Sequence, residues 1–274
     1  MRDLGYVEGK QFVMEWRFAE GKEDRLPALA SDLVRAKVDV IVAVSSFSVE
    51  AARKATSTTP IVTTGVGNPV ASGFVSSLAH PGGNVTGISN LSVIVSSKYL
   101  ELLHAAVPKA TRVAVLVNPY HPNHPAVLVQ IRQSAKTMGV SILPFDLRSV
   151  DDIARTIDAA VRDNAGAPIV PTDPFFNSQT NEIVELAARH QLPARFGLRI
   201  GPEAGGLMSY EPNPAEMYAR PAALVDKILK GAKPGDLPVE QPTRFEFLIN
   251  MKTAKALGLT IPQTLLLRAD ELIQ

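Results

Sequence analysis

Between residues 38 and 196, short unbroken apolar runs alternate with amphipathic stretches of about 10 to 15 residues, and most runs stop at a cluster of Ser, Thr, Asn, Gly or Pro. A strand that is apolar on both faces must be covered on both faces, so this rhythm specifies parallel β-α units rather than a helical bundle or a sandwich. Strands are expected at 38–44, 61–64, 84–88, 112–117, 140–145, 168–170 and 194–196, and helices at 25–36, 49–55, 70–78, 97–107, 125–138, 150–163, 180–190 and 214–229. Ahead of them, Phe12, Met14, Trp16 and Phe18 alternate with Val13, Glu15 and Arg17, the period of a strand over 11–19 with one solvated face. A small segment at 206–210, a Pro- and Gly-rich stretch at 231–242 and closing elements at 245–250, 253–257 and 262–273 complete the chain. Two runs of β-α units joined near 88–97 are more natural as two sheets than as one of about nine strands. The fold class is therefore α/β, with two Rossmann-like lobes of parallel strands.

A chain of 274 residues, 46% of them hydrophobic, is long enough for two such cores. The formal net charge is +1 and the charges are mixed along the chain, which leaves no electrostatic footprint for nucleic acid or an anionic membrane. A small neutral or zwitterionic ligand is the expected partner. With no cysteine, thiol catalysis, thiolate metal sites and disulfides are excluded. No apolar run approaches the roughly 18 to 20 residues of a membrane helix. The opening residues Met1 to Tyr6 lack the pattern of a signal peptide, so either the protein is not exported as written or its export signal lies upstream.

In open parallel sheets, ligands sit outside the carboxyl ends of the strands. Here those ends carry Ser45 and Ser46; Thr64, Gly65, Val66, Gly67, Asn68 and Pro69; Asn118, Pro119 and Tyr120; Thr172, Asp173, Pro174, Phe175 and Phe176; and Ser209 and Tyr210. Such loops place hydroxyl, amide, carboxylate and aromatic groups where helix amino termini supply free N–H donors. The set suits a ligand with a carboxylate, an amine and a flat ring. Asp173 is its one acidic residue and a candidate partner for a ligand ammonium, while Phe175, Phe176, Phe196 and Tyr210 are candidates to sandwich a ring. Each loop also has a structural reading, since Asn-Pro and Asp-Pro cap helices and start turns. His121 and His124 stand three apart without a carboxylate or third histidine nearby in sequence, so no metal site is expected. Neither a nucleophile elbow nor a complete phosphate- or dinucleotide-binding loop occurs, and Gly65-Val66-Gly67 is only a fragment of one. No cofactor is expected, and the pattern argues for binding without catalysis.

Arg2-Asp3-Leu4-Gly5-Tyr6-Val7-Glu8-Gly9, Asn68-Pro69-Val70 followed by Pro81-Gly82-Gly83-Asn84-Val85-Thr86-Gly87, Ala204-Gly205-Gly206-Leu207-Met208-Ser209-Tyr210 and the run from Thr253 to Pro262 carry a further signal. In order and spacing, over almost the whole chain, they resemble the tryptophan/tyrosine-type ABC transporter substrate-binding protein family. The resemblance implies a type I periplasmic-binding-protein fold that closes on a small ligand in an interlobe cleft and hands it to a membrane permease and its ATPase. It implies lobes of 1–92 with about 211–243, and 93–210 with about 244–274, and a periplasmic location. Ligand positions carried over residue by residue are Ser45, Ser46, Thr64 to Gly67, Asn118, Asp173 and Tyr210; Asn68 and Pro174 depart from the family's amino-acid-binding pattern. The family's first strand also has no counterpart ahead of Leu4-Gly5-Tyr6-Val7-Glu8-Gly9. That implies a gene start placed too late, or an amino-terminal lobe completed by strand exchange in a homodimer. Two rival readings use the same cleft: a cytoplasmic ligand-sensing domain, and an α/β enzyme acting on a similar metabolite.

Overall fold

The computed structural model describes residues 1–274. In chain order the first elements are α1 (Leu26–Arg35), β1 (Ile41–Ala43), α2 (Ser46–Ala55), β2 (Ile61–Val66) and β3 (Val85–Ser89). The next run is α3 (Ser96–Ala106), β4 (Arg112–Val117), α4 (His124–Met138), β5 (Ser141–Asp146), α5 (Ile153–Arg162), β6 (Ala167–Val170), α6 (Pro174–Ser178), α7 (Thr180–Arg189), β7 (Arg195–Phe196), α8 (Ile200–Ala204) and β8 (Met208–Pro212). Then come α9 (Pro214–Leu229), β9 (Phe245–Asn250), α10 (Met251–Ala256), α11 (Gln263–Leu266) and β10 (Glu271–Ile273). The chain divides into two compact units, Met1–Leu91 with Pro212–Arg244, and Ser92–Glu211 with Phe245–Gln274.

The amino-terminal lobe holds a parallel sheet in the order β1-β2-β3. Alternation along β2 sends Ile61 into a core with Val49, Ala52 and Val85, and Val62 to the opposite face, where Leu224 and Ile228 of α9 cover it. Gly87 permits this tight pairing: a Cβ there would lie 2.1 Å from the Thr63 carbonyl oxygen. Two expectations fail in this lobe. Residues 11–19 form no strand; apart from a bridge between Glu8 and Phe12 they run without ladder partners, and Val13, Trp16 and Phe18 are 73%, 60% and 65% exposed. A period-two pattern gives a strand only where a neighbour supplies the hydrogen bonds, and β1, the edge strand, pairs solely with β2. The helix expected at 70–78 is instead a series of turns. Asn68 Oδ1 accepts the Ala71 N–H at 3.0 Å, but Gly73 takes φ +68°, and the Ser76 N–H turns away to the Pro81 carbonyl.

In the carboxyl-terminal lobe, seven strands run in the order β10-β9-β8-β7-β6-β4-β5. Alternation again splits the core. Val113, Val115 and Ile169 face Leu100, Leu103 and Ile131 of α3 and α4, whereas Leu116, Val170 and Phe196 face Ile157, Ile183 and Ala187 of α5 and α7. Most other expected elements agree with the structure to within one to three residues; α6, α8 and β10 are too short to carry a readable period. No helix is long and apolar enough to cross a membrane.

Candidate ligand-binding site

At the carboxyl end of β1, Ser45 caps α2. Its hydroxyl accepts the Ser48 N–H at 3.2 Å, and the Ser48 hydroxyl accepts the Ser45 N–H at 2.9 Å. Ser46, the first residue of that helix, is buried. The turn after β2 is held from β3, where the Asn90 amide donates to the Gly65 carbonyl at 3.0 Å and the Ser89 hydroxyl to that of Gly67 at 3.3 Å. Gly65 is irreplaceable by shape, since a Cβ would lie 2.3 Å from the Val44 carbonyl oxygen. Thr64 is buried and Val66 belongs to the core, so this stretch offers mainly backbone and small hydroxyl groups.

In the other lobe, Asn118 follows β4 and Asp173 follows β6, and both are buried. Asp173 Oδ1 accepts the Phe176 N–H at 3.0 Å, which caps α6, and Oδ2 accepts the Asn118 side-chain amide at 2.9 Å. The Asn118 Oδ1 in turn accepts the Tyr120 N–H at 3.0 Å. Burial pushes the Asp173 pKa up, against the hydrogen bonds from Phe176, Asn118 and Phe175. A ligand ammonium at Asp173 would therefore compete with the Asn118 amide.

His121 and His124 stack beside this pair with ring centroids 4.3 Å apart. Asp173 supplies the carboxylate that sequence proximity does not reveal: the ligating atoms of the three residues lie within 4.8 Å of one another. The tautomers nevertheless suit hydrogen bonding better than a metal. His124 Nδ1 accepts the Asn118 N–H at 2.9 Å and His121 Nδ1 the Asn123 N–H at 3.2 Å. A neutral imidazole accepting at Nδ1 carries its proton on Nε2, whereas a ligating Nε2 needs a free lone pair. Burial lowers the His121 pKa to about 4; burial and then His121 lower that of His124 to about 3, with the Thr172 backbone opposing. Both rings are neutral donors at pH 7. His124 Nε2 has no hydrogen-bond partner and stands 3.9 Å from Asp173 Oδ2.

Farther along the sheet, Arg195 lies on β7 with no exposed surface. Its guanidinium carbon is 3.2 Å from the centroid of the Tyr99 ring, and Nη2 donates to the Tyr210 carbonyl at 2.9 Å. Burial lowers its pKa to about 10, against the influence of Tyr99 and Glu211, so it stays charged at neutral pH. Glu211 is 5% exposed and its pKa is pushed up to about 7, by burial foremost; its Oε1 accepts the Arg199 N–H at 2.7 Å. The neighbouring strand ends are close: a Cβ on Gly197 would fall 2.2 Å from Thr172 Oγ1 and 2.6 Å from the Thr172 nitrogen.

The ring-sandwich expectation divides between two faces. In the register of β7 and β8, Phe196 pairs with Ser209 and Arg195 with Met208. Phe196 and Phe176 consequently pack in the core under α7, whereas Tyr210, on the side of Arg195, stacks on Phe245 at 5.3 Å. Period-two alternation along β7 and β8 forces this separation. Tyr99, Arg195 and Glu211 escaped the sequence reading; the one available signal was a lone arginine inside the apolar stretch Pro193-Ala194-Arg195-Phe196.

Two α/β lobes, each built from parallel β-α units and each gathering polar groups at its strand ends, define a type I periplasmic-binding-protein fold. The family model for ABC transporter substrate binding protein matches residues 1–273, and the chain belongs to that family. A tyrosine-binding protein of Clostridioides difficile is 28% identical over 259 residues, covering 94% of this chain and 74% of that one. Among solved structures, the ABC domain in complex with L-Trp from Streptococcus pneumonia is 26% identical, with a TM-score of 0.92 and coverage of 99% of this chain and 91% of that one. A conserved domain protein from Vibrio cholerae is 27% identical, with a TM-score of 0.93 and coverage of 99% and 90%. The family implies a small-molecule ligand and, as partners, an ABC permease and ATPase.

Proposed function

We propose that this protein is the solute-binding component of an ABC importer, capturing a small carboxylate-bearing ligand with a flat ring, an amino acid or a related metabolite, without chemical turnover. The observation that carries the reading is the full-length likeness to a chain solved with L-Trp, joined by a tyrosine-binding relative of 28% identity. Ligand contacts are assigned to Ser45, Ser46 and the 64–67 backbone in one lobe and to Asn118 and Tyr210 in the other, with Asp173, Phe176 and Phe196 holding the second set in place. Selection follows from the enclosed polar groups, because a ligand that leaves a buried donor or acceptor unpaired loses affinity. The location proposed is periplasmic. The unpaired edge of β1 and the exposed 11–19 arm favour self-association through the amino-terminal lobe.

The test is a thermal-shift screen against amino acids, aromatic carboxylates and small peptides. A ligand at about 100 times its Kd adds about 2.7 kcal/mol to the folded state, a rise of several degrees that grows with concentration. A cooperative melt that no member of the panel moves would refute the assigned ligand class.

A further inference from the structure

Arg195 is a buried cation with no carboxylate in direct contact. Guanidinium nitrogens Nε and Nη1 have no hydrogen-bond partner, and Nη2 donates to the Tyr210 carbonyl. An arginine shut away from water normally sits against a carboxylate, because an unpaired buried charge is costly. Glu211 acts on it through space but makes no ion pair or hydrogen bond with it, and its Oε1 accepts the Arg199 N–H. Yet the guanidinium is firmly placed, stacked on Tyr99 and tied through Nη2 to the Tyr210 carbonyl at the carboxyl end of the sheet. A fixed, dry, charged donor with two idle nitrogens is what an anionic group requires.

The other polar groups of this lobe point the same way. The acceptor suited to a ligand ammonium, Asp173, has both oxygens engaged by protein donors, whereas His124 offers an unpartnered Nε2–H.

We propose that Arg195 is the anion-binding group of the carboxyl-terminal lobe, that its free nitrogens take the carboxylate of the captured solute, and that the lobe selects for that carboxylate rather than for an ammonium group. This rests on the solute-binding reading above and adds to it which end of the ligand this lobe holds. Entry requires the covering side chains, Tyr99 and Tyr210 among them, to move aside.

The experiment uses the full chain, as wild type, Arg195→Lys and Arg195→Met, with L-tryptophan, indole-3-propionate and tryptamine as probes. The three share a ring and differ only in carrying both groups, the carboxylate alone or the amine alone. Thermal shift and calorimetry should give binding by the first two within about fivefold of each other, none by tryptamine, and at least tenfold weaker binding to Arg195→Met, with Arg195→Lys between. Equal binding of tryptamine, or an undiminished affinity in Arg195→Met, overturns the proposal. The free proteins give a readout that needs no ligand. Removing an unpaired buried charge predicts that Arg195→Met melts at or above the wild-type temperature, and a melt lower by more than about 4 °C assigns Arg195 to the fold and overturns the proposal. If no probe binds the wild type, the ligand class and the carboxylate assignment fall together, and a more stable Arg195→Met then shows only that the buried charge is unpaired in the free protein.

Discussion

Exchanging Asp173 and Asn118 tests the most tightly specified part of the carboxyl-terminal lobe. Asp173→Ala removes the cap of α6, worth about 1 kcal/mol, and leaves the Asn118 amide as a buried unpaired donor, worth about 1 to 3 kcal/mol. The expected destabilisation is roughly 2 to 4 kcal/mol, a fall of about 4 to 16 °C for a lobe of this size. Loss of ligand binding in that variant would report on the fold, not on a contact. Asp173→Asn is more discriminating: its carbonyl oxygen still accepts the Phe176 N–H, but its amide now faces the amide of Asn118. Asn118 cannot turn over without giving up the Tyr120 N–H. Asn118→Asp alone sets two carboxylates face to face. The double exchange restores all three hydrogen bonds, with donor and acceptor reversed only in the one between the two side chains, so it should recover about 1 to 2 kcal/mol relative to the sum of the single variants. Urea denaturation with an unchanged slope is the assay. Additive single effects would refute the hydrogen-bonded pair. Ligand affinity unchanged by the exchange would place the ligand's cationic end elsewhere.

The remaining predictions concern protonation, packing and the exposed arm. Glu211 has a raised pKa, about 7 against 4.5, so its contribution to stability is complete below pH 4.5 and lost as the pH rises through 7, a change of about 3 kcal/mol. Glu211→Gln should therefore match the wild type at pH 4.5 and exceed it at pH 8; parallel urea midpoints would exclude this. His121 and His124 have lowered pKa values, about 4 and 3 against 6.5, so their contribution is complete above pH 6.5 and lost on acidification. The two effects oppose each other between pH 4.5 and 6.5, and Glu211→Gln should show the steeper acid loss, with a shallower profile counting against the assignment. Gly197→Ala places a methyl group against the Thr172 backbone and should cost about 2 to 4 kcal/mol, while Gly83→Ala, with nothing within 4 Å, should cost under about 0.5 kcal/mol. Trp16→Ser with Phe18→Ser should barely change monomer stability, because both side chains are exposed, but should abolish any dimer seen by sedimentation if the amino-terminal lobe self-associates.

How far the sequence reaches depends on whether a signal is local. The apolar runs and their flanking helices were legible because burial on both faces leaves a period in the chain itself; α9 and β9 fall on the residues that period marks. The same reasoning misplaced residues 11–19, where the period is real but the ladder partner it needs is absent, and residues 70–78, where Gly73 and the Pro81 carbonyl redirect a capped start into turns. Among candidate site residues, Ser45 and Asn118 could be placed after β1 and β4 because strand ends are readable. Side-chain contacts depend on distant residues: the Asn118 partner is 55 positions away, and the ring under Arg195, Tyr99, belongs to helix α3. Aromatic content alone could not separate Phe196 from Tyr210, because a shift of one position along a strand changes which face a side chain meets.

That one-residue alternation also explains why Arg195 can be both buried and poised. The β7 strand is two residues long, and with Phe196 committed to the core under α7, position 195 must point to the opposite face, beneath Tyr99. An aliphatic residue there would extend the cluster that already contains Met208 and Leu103, at no electrostatic cost. The arginine is instead held by a ring face and a single carbonyl, with its remaining donors idle. A fold stabilised for its own sake would close that gap, either with an apolar side chain or by bringing Glu211 within reach. Keeping the acid on the Arg199 N–H and the cation unpaired is consistent with a counter-ion supplied from outside the chain, and the free-protein melt of Arg195→Met distinguishes that arrangement from a purely structural one.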